Sequence, residues 1–382
     1  MNHPAGAIPA STAQSGGKAP LIGIQYLRAI GAMLIVYFHN VIQIPAYTPY
    51  LTRYFLGGIH LTNGVDLFFV VSGFIMLVTS RKAAPVDFLV RRVIRIAPLY
   101  WALTLLVAGF VAVRPELFRS TVLNAQYLVK SLLFVPYLCN GYFFPLLVPG
   151  WSLNFEMFFY LAFALILFVP HHRRVTIMGL SFLTLYFLGI WILHSMDPTN
   201  RNSSVINFYT SLHLFEFWSG MFVADLHLRG YLKFWPVIGW LLLAASFVAL
   251  LWGLPLNLAS GSSAEFLLDS LLPSVTLLLA VVSLENTSSL PKSSRLTQLG
   301  DASYSLYLTH IFSMGLARLL WARAGLQRES IVFVAGYAVF AMTLCVLIAV
   351  ATYRWVENPT HNWLLASYRN WRSARVARLQ TT

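Results

Sequence analysis

The sequence predicts an all-α fold: a polytopic membrane helix bundle of about ten spans with both termini cytoplasmic. Three observations carry this. Of 382 residues, 58% are hydrophobic and only 10% are charged, whereas a soluble domain carries about 25% charged residues. Apolar runs close to the roughly 20 residues that a spanning helix needs recur along the chain. Lys and Arg also segregate. With ten spans, the segments on the inner side hold 17 of them and those on the outer side hold 7, the bias expected of cytoplasmic loops.

Residues 1–20, "MNHPAGAIPASTAQSGGKAP", are small, polar and rich in Pro and Gly. They read as a disordered cytoplasmic tail without a signal-peptide pattern. The spans are then expected near 22–43, 62–80, 96–113, 150–170, 175–193, 210–228, 234–253, 265–285, 301–320 and 330–352. Between 113 and 150 the stretch "SLLFVPYLCNGYFFPLLVPG" is too broken by Pro and Gly for a span. It reads as re-entrant or interfacial. The expected transmembrane domain is 21–356. Residues 357–382 form a basic tail on the cytoplasmic membrane surface. Internally related halves, frequent in transporters, are not visible.

The net charge of +13 would suggest nucleic acid on a soluble chain. Here it reads as the basic excess of cytoplasmic loops, and no nucleic-acid partner is expected. Cys139 and Cys345 are the only cysteines. They exclude a disulfide framework and a cysteine metal site. No His-Glu-x-x-His is present either, so the sequence predicts no metal. It sets no oligomeric state.

Ionisable residues inside spans mark functional sites by default. The first span, "YLRAIGAMLIVYFHN", holds Arg28 and His39. Eleven residues make about three turns, so both lie within roughly 20° of one face and about 16 Å apart along the axis. Arg28 falls near the inner interface, where an arginine alone could simply snorkel. In the first inner loop, Arg92 and Arg95 share a helical face while Arg91 does not. Such a pair suits phosphate, although a bare positive-inside signal would look the same. The chain is expected to turn at Pro98 into the third span. Asp66 opens the second span at the depth expected for His39, with Ser72 and Gly73 below it. Glu156 follows Trp151 in the fourth span. His213 and Glu216 are three apart in the sixth, and Tyr307 and His310 lie in the ninth. Together they predict a polar cavity shared by at least five spans.

A basic patch with a histidine about 16 Å deeper on the same helix fits coenzyme A, a polyanionic nucleotide end on a long thin arm. His39 would deprotonate a hydroxyl arriving from the outer side, and Asp66 could orient the imidazole. A saccharide or lipid transporter would present a similar cavity.

Five blocks, in order, resemble the integral-membrane acyltransferase 3 family. They are Arg28-x10-His39, "GVDLFFVVSGF" (64–74), Arg92-x-x-Arg95-x-x-Pro98, "WSLNFEMFFY" (151–160) and "SYSLYLTH" (303–310). The resemblance covers residues 22–360 and is closest to the bacterial exopolysaccharide and O-antigen O-acetyltransferases. It implies a multi-pass protein of the bacterial cytoplasmic membrane. It implies transfer of an acyl group, usually acetyl, from cytoplasmic acetyl-CoA to a hydroxyl of an exported polysaccharide or its lipid-linked precursor. A small molecule or lipid as acceptor stays open. Arg28, His39, Arg92 and Arg95 take the functional roles. Two departures stand out: Phe155 where a second glutamate is frequent, and "ENP" (357–359) where "ERP" is frequent. Neither is expected to touch the His/Arg core.

Overall fold

A computed structural model describes residues 21–43, 64–114, 122–139, 141–197, 201, 204–252, 262–326 and 330–380. The expected tail 1–20 and the start of the second span lie outside the described residues. Among the described residues the chain is helical, and its one β feature is an isolated bridge between Cys139 and Tyr142.

In order, the helices are α1 Ile22–Gln43, α2 Gly64–Thr79, α3 Pro85–Val113, α4 Ala125–Leu132, α5 Gly150–Ile166, α6 Arg174–Ser195 and α7 Val205–Tyr209. Then come α8 His213–Leu228, α9 Pro236–Trp252, α10 Ser263–Asn286, α11 Ser294–Asp301, α12 Ser303–Arg323, α13 Ile331–Thr352 and α14 Asn358–Gln380. A π turn interrupts α10 at Phe266–Leu271, and another joins α13 to α14 at Tyr353–Glu357. Each of the ten expected spans falls on one of these helices. Five helical segments are long and apolar enough to cross a membrane, and three shorter apolar helices accompany them. Among the described residues of the broken stretch after 113 there is one short helix, α4, capped by the Asn124 side chain on the Tyr127 N–H.

The structure changes the reading at Pro98. α3 does not turn there; it continues for 29 residues, starting from Pro85 in its first turn. Proline cannot bond the carbonyl four residues back, which here belongs to Ile94. The His361 side chain lies toward that carbonyl, and the Tyr304 hydroxyl donates to the nearby Ile96 carbonyl at 2.6 Å. Polar side chains of neighbouring helices thus face the stretch where the proline interrupts the ladder.

α1 is anchored at both ends. Its first two N–H groups, from Ile22 and Gly23, donate to the Glu285 carboxylate at 2.6 and 2.8 Å. These N–H groups have no intrahelical partner, and the helix dipole favours a negative charge there. At the other end Asn40 Nδ2 donates to the Ala338 carbonyl of α13 at 2.9 Å. The segments that join α2 to α3 and α5 to α6 are tied too: buried Arg174 donates to the carbonyls of Arg81, Val169 and Leu167 at 2.9, 2.9 and 3.1 Å.

The central contact is between α2 and α8, which run parallel. Two glycines permit it. A Cβ on Gly73 would fall 1.9 Å from the Phe217 carbonyl oxygen, and one on Gly220 1.8 Å from that of Val70. Small residues let helix backbones approach where no hydrophobic drive separates protein from lipid. Gly73→Ala is therefore expected to destabilise the fold by about 1–3 kcal/mol or more, the cost of overpacking. Thermal unfolding in detergent, read by tryptophan fluorescence, checks this.

α2 also packs on α1. A Cβ on Gly64 would lie 2.7 Å from the Gly31 carbonyl oxygen and from Ile35 Cγ1. Gly64 thus lies beside Gly31 and Ile35, one to two helical turns from His39 toward the start of α1.

Candidate functional site

Two polar centres lie along α1. Toward its start, Arg28 donates to Gln25 Oε1 at 3.1 Å and lies within electrostatic reach of Arg95, Glu357, Asp301 and Glu156. Arg92 and Arg95 come from α3, and the i, i+3 spacing does put them on one inward face. Arg92 lies over the rings of Phe88 and Tyr160, at 5.3 and 5.8 Å, and donates to Thr79 Oγ1 at 3.3 Å. Arg95 forms an ion pair with Glu357 at 2.7 Å. Glu156 of α5 accepts a short hydrogen bond from the Tyr160 hydroxyl and faces Arg92, Arg28 and Arg95. Three guanidinium groups and the carboxylates of Glu156, Glu357 and Asp301 thus share one chamber. Burying so many charges is tolerable only because they are mutually paired.

Arg91 is on the exposed side of α3, outside this chamber. Glu357 corrects the sequence reading. The "ENP" departure was expected to stay clear of the His/Arg core, yet its glutamate is 4% exposed and bonds both Arg95 and the Ser305 hydroxyl, the latter at 2.5 Å.

About three turns further along α1 lies His39. Its Nδ1 is 2.9 Å from the Ile35 carbonyl. A carbonyl only accepts, so Nδ1 carries the proton and Nε2 is left as the basic nitrogen. His310 of α12 is built the same way, with Nδ1 2.6 Å from the Tyr307 carbonyl. It is fully buried, and its Nε2 has no hydrogen-bond partner among the described residues. The two imidazole centroids are 4.9 Å apart. Tyr307 stands beside them, its hydroxyl 2.6 Å from Ser152 Oγ and 2.8 Å from the Pro149 carbonyl. The bonds to Ser152 and Pro149 fasten α12 to the start of α5.

Asp66 is not at His39. The sequence reading had it orienting that imidazole, but the Ile35 carbonyl occupies His39 Nδ1. Asp66 instead faces His213 at 3.7 Å and Glu216. Trp151 points to this third cluster too, its ring centroid 6.3 Å from that of His213. Phe155, the other departure, stacks on Phe208 at 3.9 Å and meets His213 edge-on. Ser72 is buried beside Gly73, its hydroxyl without a hydrogen-bond partner among the described residues, and it belongs to none of the three.

The structure therefore gathers Arg28, Arg92, Arg95 and Glu156 at one place, and His39, His310 and Tyr307 at another. It sets Asp66 and Trp151 apart. Tyr160, Tyr304 and Glu357 were missed. Tyr160 had a signal, its i, i+4 spacing from Glu156. Glu357 had none, since it reaches the chamber from the other end of the chain.

Comparison with known proteins bears on the family of the chain. The family model described as "Acyltransferase domain", of the acyltransferase 3 type, matches residues 21–350. The chain is also 37% identical over 303 residues to the exopolysaccharide production protein ExoZ of Rhizobium meliloti (strain 1021). That match covers 78% of this chain and 88% of the relative. No solved structure matches. The apolar helices and the family fit a membrane-embedded transferase, and the chain belongs to the acyltransferase 3 family.

Proposed function

We propose that the chain transfers an acyl group, acetyl in our reading, from cytoplasmic acyl-CoA to a hydroxyl of an exopolysaccharide or its lipid-linked precursor. The observation that carries this is the pairing on one helix: an arginine chamber at Arg28 and, about 16 Å along the axis, an imidazole whose Nε2 is the basic nitrogen. The protein would lie in the bacterial inner membrane with about ten spans, the arginine chamber facing the cytoplasm.

Each residue then has a task. Arg95 is already held by Glu357, so the phosphate contacts fall first to Arg92, with exposed Arg91 on the next residue. The pantetheine arm would follow α1 from Arg28 toward His39. His39 Nε2 takes the proton of the acceptor hydroxyl as its oxygen attacks the thioester carbonyl. The C–S bond breaks, and the imidazolium returns the proton to the thiolate. The products are the ester and free CoA. His310 faces His39 with a second unprotonated nitrogen and can hold the acceptor hydroxyl or receive the proton in turn. The printed name of the relative, exopolysaccharide production, supports a polysaccharide acceptor.

Arg92→Ala is expected to weaken acetyl-CoA binding about 10- to 100-fold, the value of one charge-assisted hydrogen bond. Calorimetry on the purified protein measures it, and unchanged affinity would remove the phosphate role. At the level of the cell, deletion of the gene should lower ester-linked acetate in the exopolysaccharide. Unaltered acetate with normal polymer yield would point to a different acceptor.

A further inference from the structure

Asp66, His213 and Glu216 form a cluster that the acyl-transfer reading does not use. One ligand atom from each lies within 4.8 Å of the others. His213 Nδ1 is 3.0 Å from Glu216 Oε2 and 3.7 Å from Asp66 Oδ1. Ligand atoms bound to one cation at about 2.1 Å lie about 3.0–3.5 Å apart, so small side-chain shifts close the set.

Charge calls for such a cation. Asp66 is 7% exposed and Glu216 is fully buried. Among the described residues, the charged groups that act most strongly on Asp66 are Glu216 and His213. A single imidazole faces two carboxylates in a setting of Phe69, Phe155 and Phe266 rings. Glu216 Oε1 has no hydrogen-bond partner among the described residues. A carboxylate oxygen only accepts, so this one needs a proton or a cation. Ser270, hydrogen-bonded to Asp66, closes the cluster from α10. The three ligands also come from the first turns of α2 and α8, the parallel pair fastened at Gly73 and Gly220.

We propose that Asp66, His213 and Glu216 bind a divalent cation of the transition series that clamps the start of α2 to the start of α8. One imidazole with two carboxylates suits zinc or manganese better than calcium, which prefers an all-oxygen set.

The test uses full-length protein purified in detergent with its affinity tag removed. Metal content is measured by mass spectrometry. The chelator-treated protein is then titrated with zinc, manganese, magnesium and calcium chlorides while thermal unfolding is followed. The expected result is close to one equivalent of bound metal, or a rise in Tm with zinc or manganese. Glu216→Gln and Asp66→Asn should each weaken that binding more than about 100-fold, beyond the roughly 10- to 100-fold that the loss of an outer-shell partner typically costs. Wild-type protein that holds no metal and shows no shift with any of the four ions would overturn the proposal, leaving a proton shared between the carboxyls. Equal binding by wild type and both variants would overturn it as well. If the variants do not fold, the wild-type measurement still decides. None of these readouts depends on acyl transfer.

Discussion

His39→Ala is expected to lower acyl transfer at least about 10²- to 10⁴-fold, the contribution of a positioned general base, while the protein still accumulates in the membrane. The side chain is only partly buried and, among the described residues, makes a single hydrogen bond, to the carbonyl one turn back on its own helix. Its removal leaves no buried polar group without a partner, because the Ile35 carbonyl keeps its place in the α1 ladder. The loss should therefore be one of chemistry and not of folding. Comparing ester-linked acetate with membrane levels of the variant separates the two. Full acetylation by His39→Ala would remove the histidine from the mechanism.

The second large effect is expected at Glu357. Its carboxylate is 2% exposed as a side chain and pairs with Arg95, itself 27% exposed. Removing one partner of a buried pair costs about 3–5 kcal/mol; the partial exposure of Arg95 places Glu357→Ala near the lower figure. Two further losses follow. Ser305 loses its acceptor, and the π turn that leads into α14 loses its tie to α3. Glu357→Ala should lower the thermal stability of the detergent-solubilised protein, whereas Asn358→Ala, whose side chain donates nothing to the chamber, should not. Equal stability of Glu357→Ala and wild type would mean that the Arg95 pair adds nothing.

Much of this architecture was legible in the sequence because a membrane span is a long, one-dimensional signal. Ten apolar runs were expected and each overlaps a helix, of which five segments are long and apolar enough to cross a bilayer; a bilayer demands internal backbone hydrogen bonding over a fixed length. Arg28 and His39 could be placed on one face by counting turns. The Arg92–Arg95 face could be read in the same way.

What the sequence hid is contact between distant segments. Asp66 and His39 seemed level because the second span was taken to begin at the outer surface. Gly64 instead lies beside Gly31, about two turns back along α1 from His39, and Asp66 faces α8. Pro98 read as a turn, because nothing nearby in sequence announces that His361 would lie toward the carbonyl it frees. Glu357 lies more than 260 residues from Arg95 in the chain, and no periodicity links them. The basic tail is also more ordered than its composition implies: α14 lies along α3, with Tyr368 and Arg372 both bound to Asp87.

The central claim is that this bundle moves an acyl group from CoA to a saccharide hydroxyl. Its most direct test incubates the purified wild-type protein with acetyl-CoA radiolabelled in the acetyl group and with exopolysaccharide freed of its esters by mild base. The account predicts that label appears in the saccharide as a base-labile ester, with free CoA released in equal amount. Label that stays on CoA, while reconstituted vesicles carry the saccharide across the bilayer, would contradict it and identify a transporter.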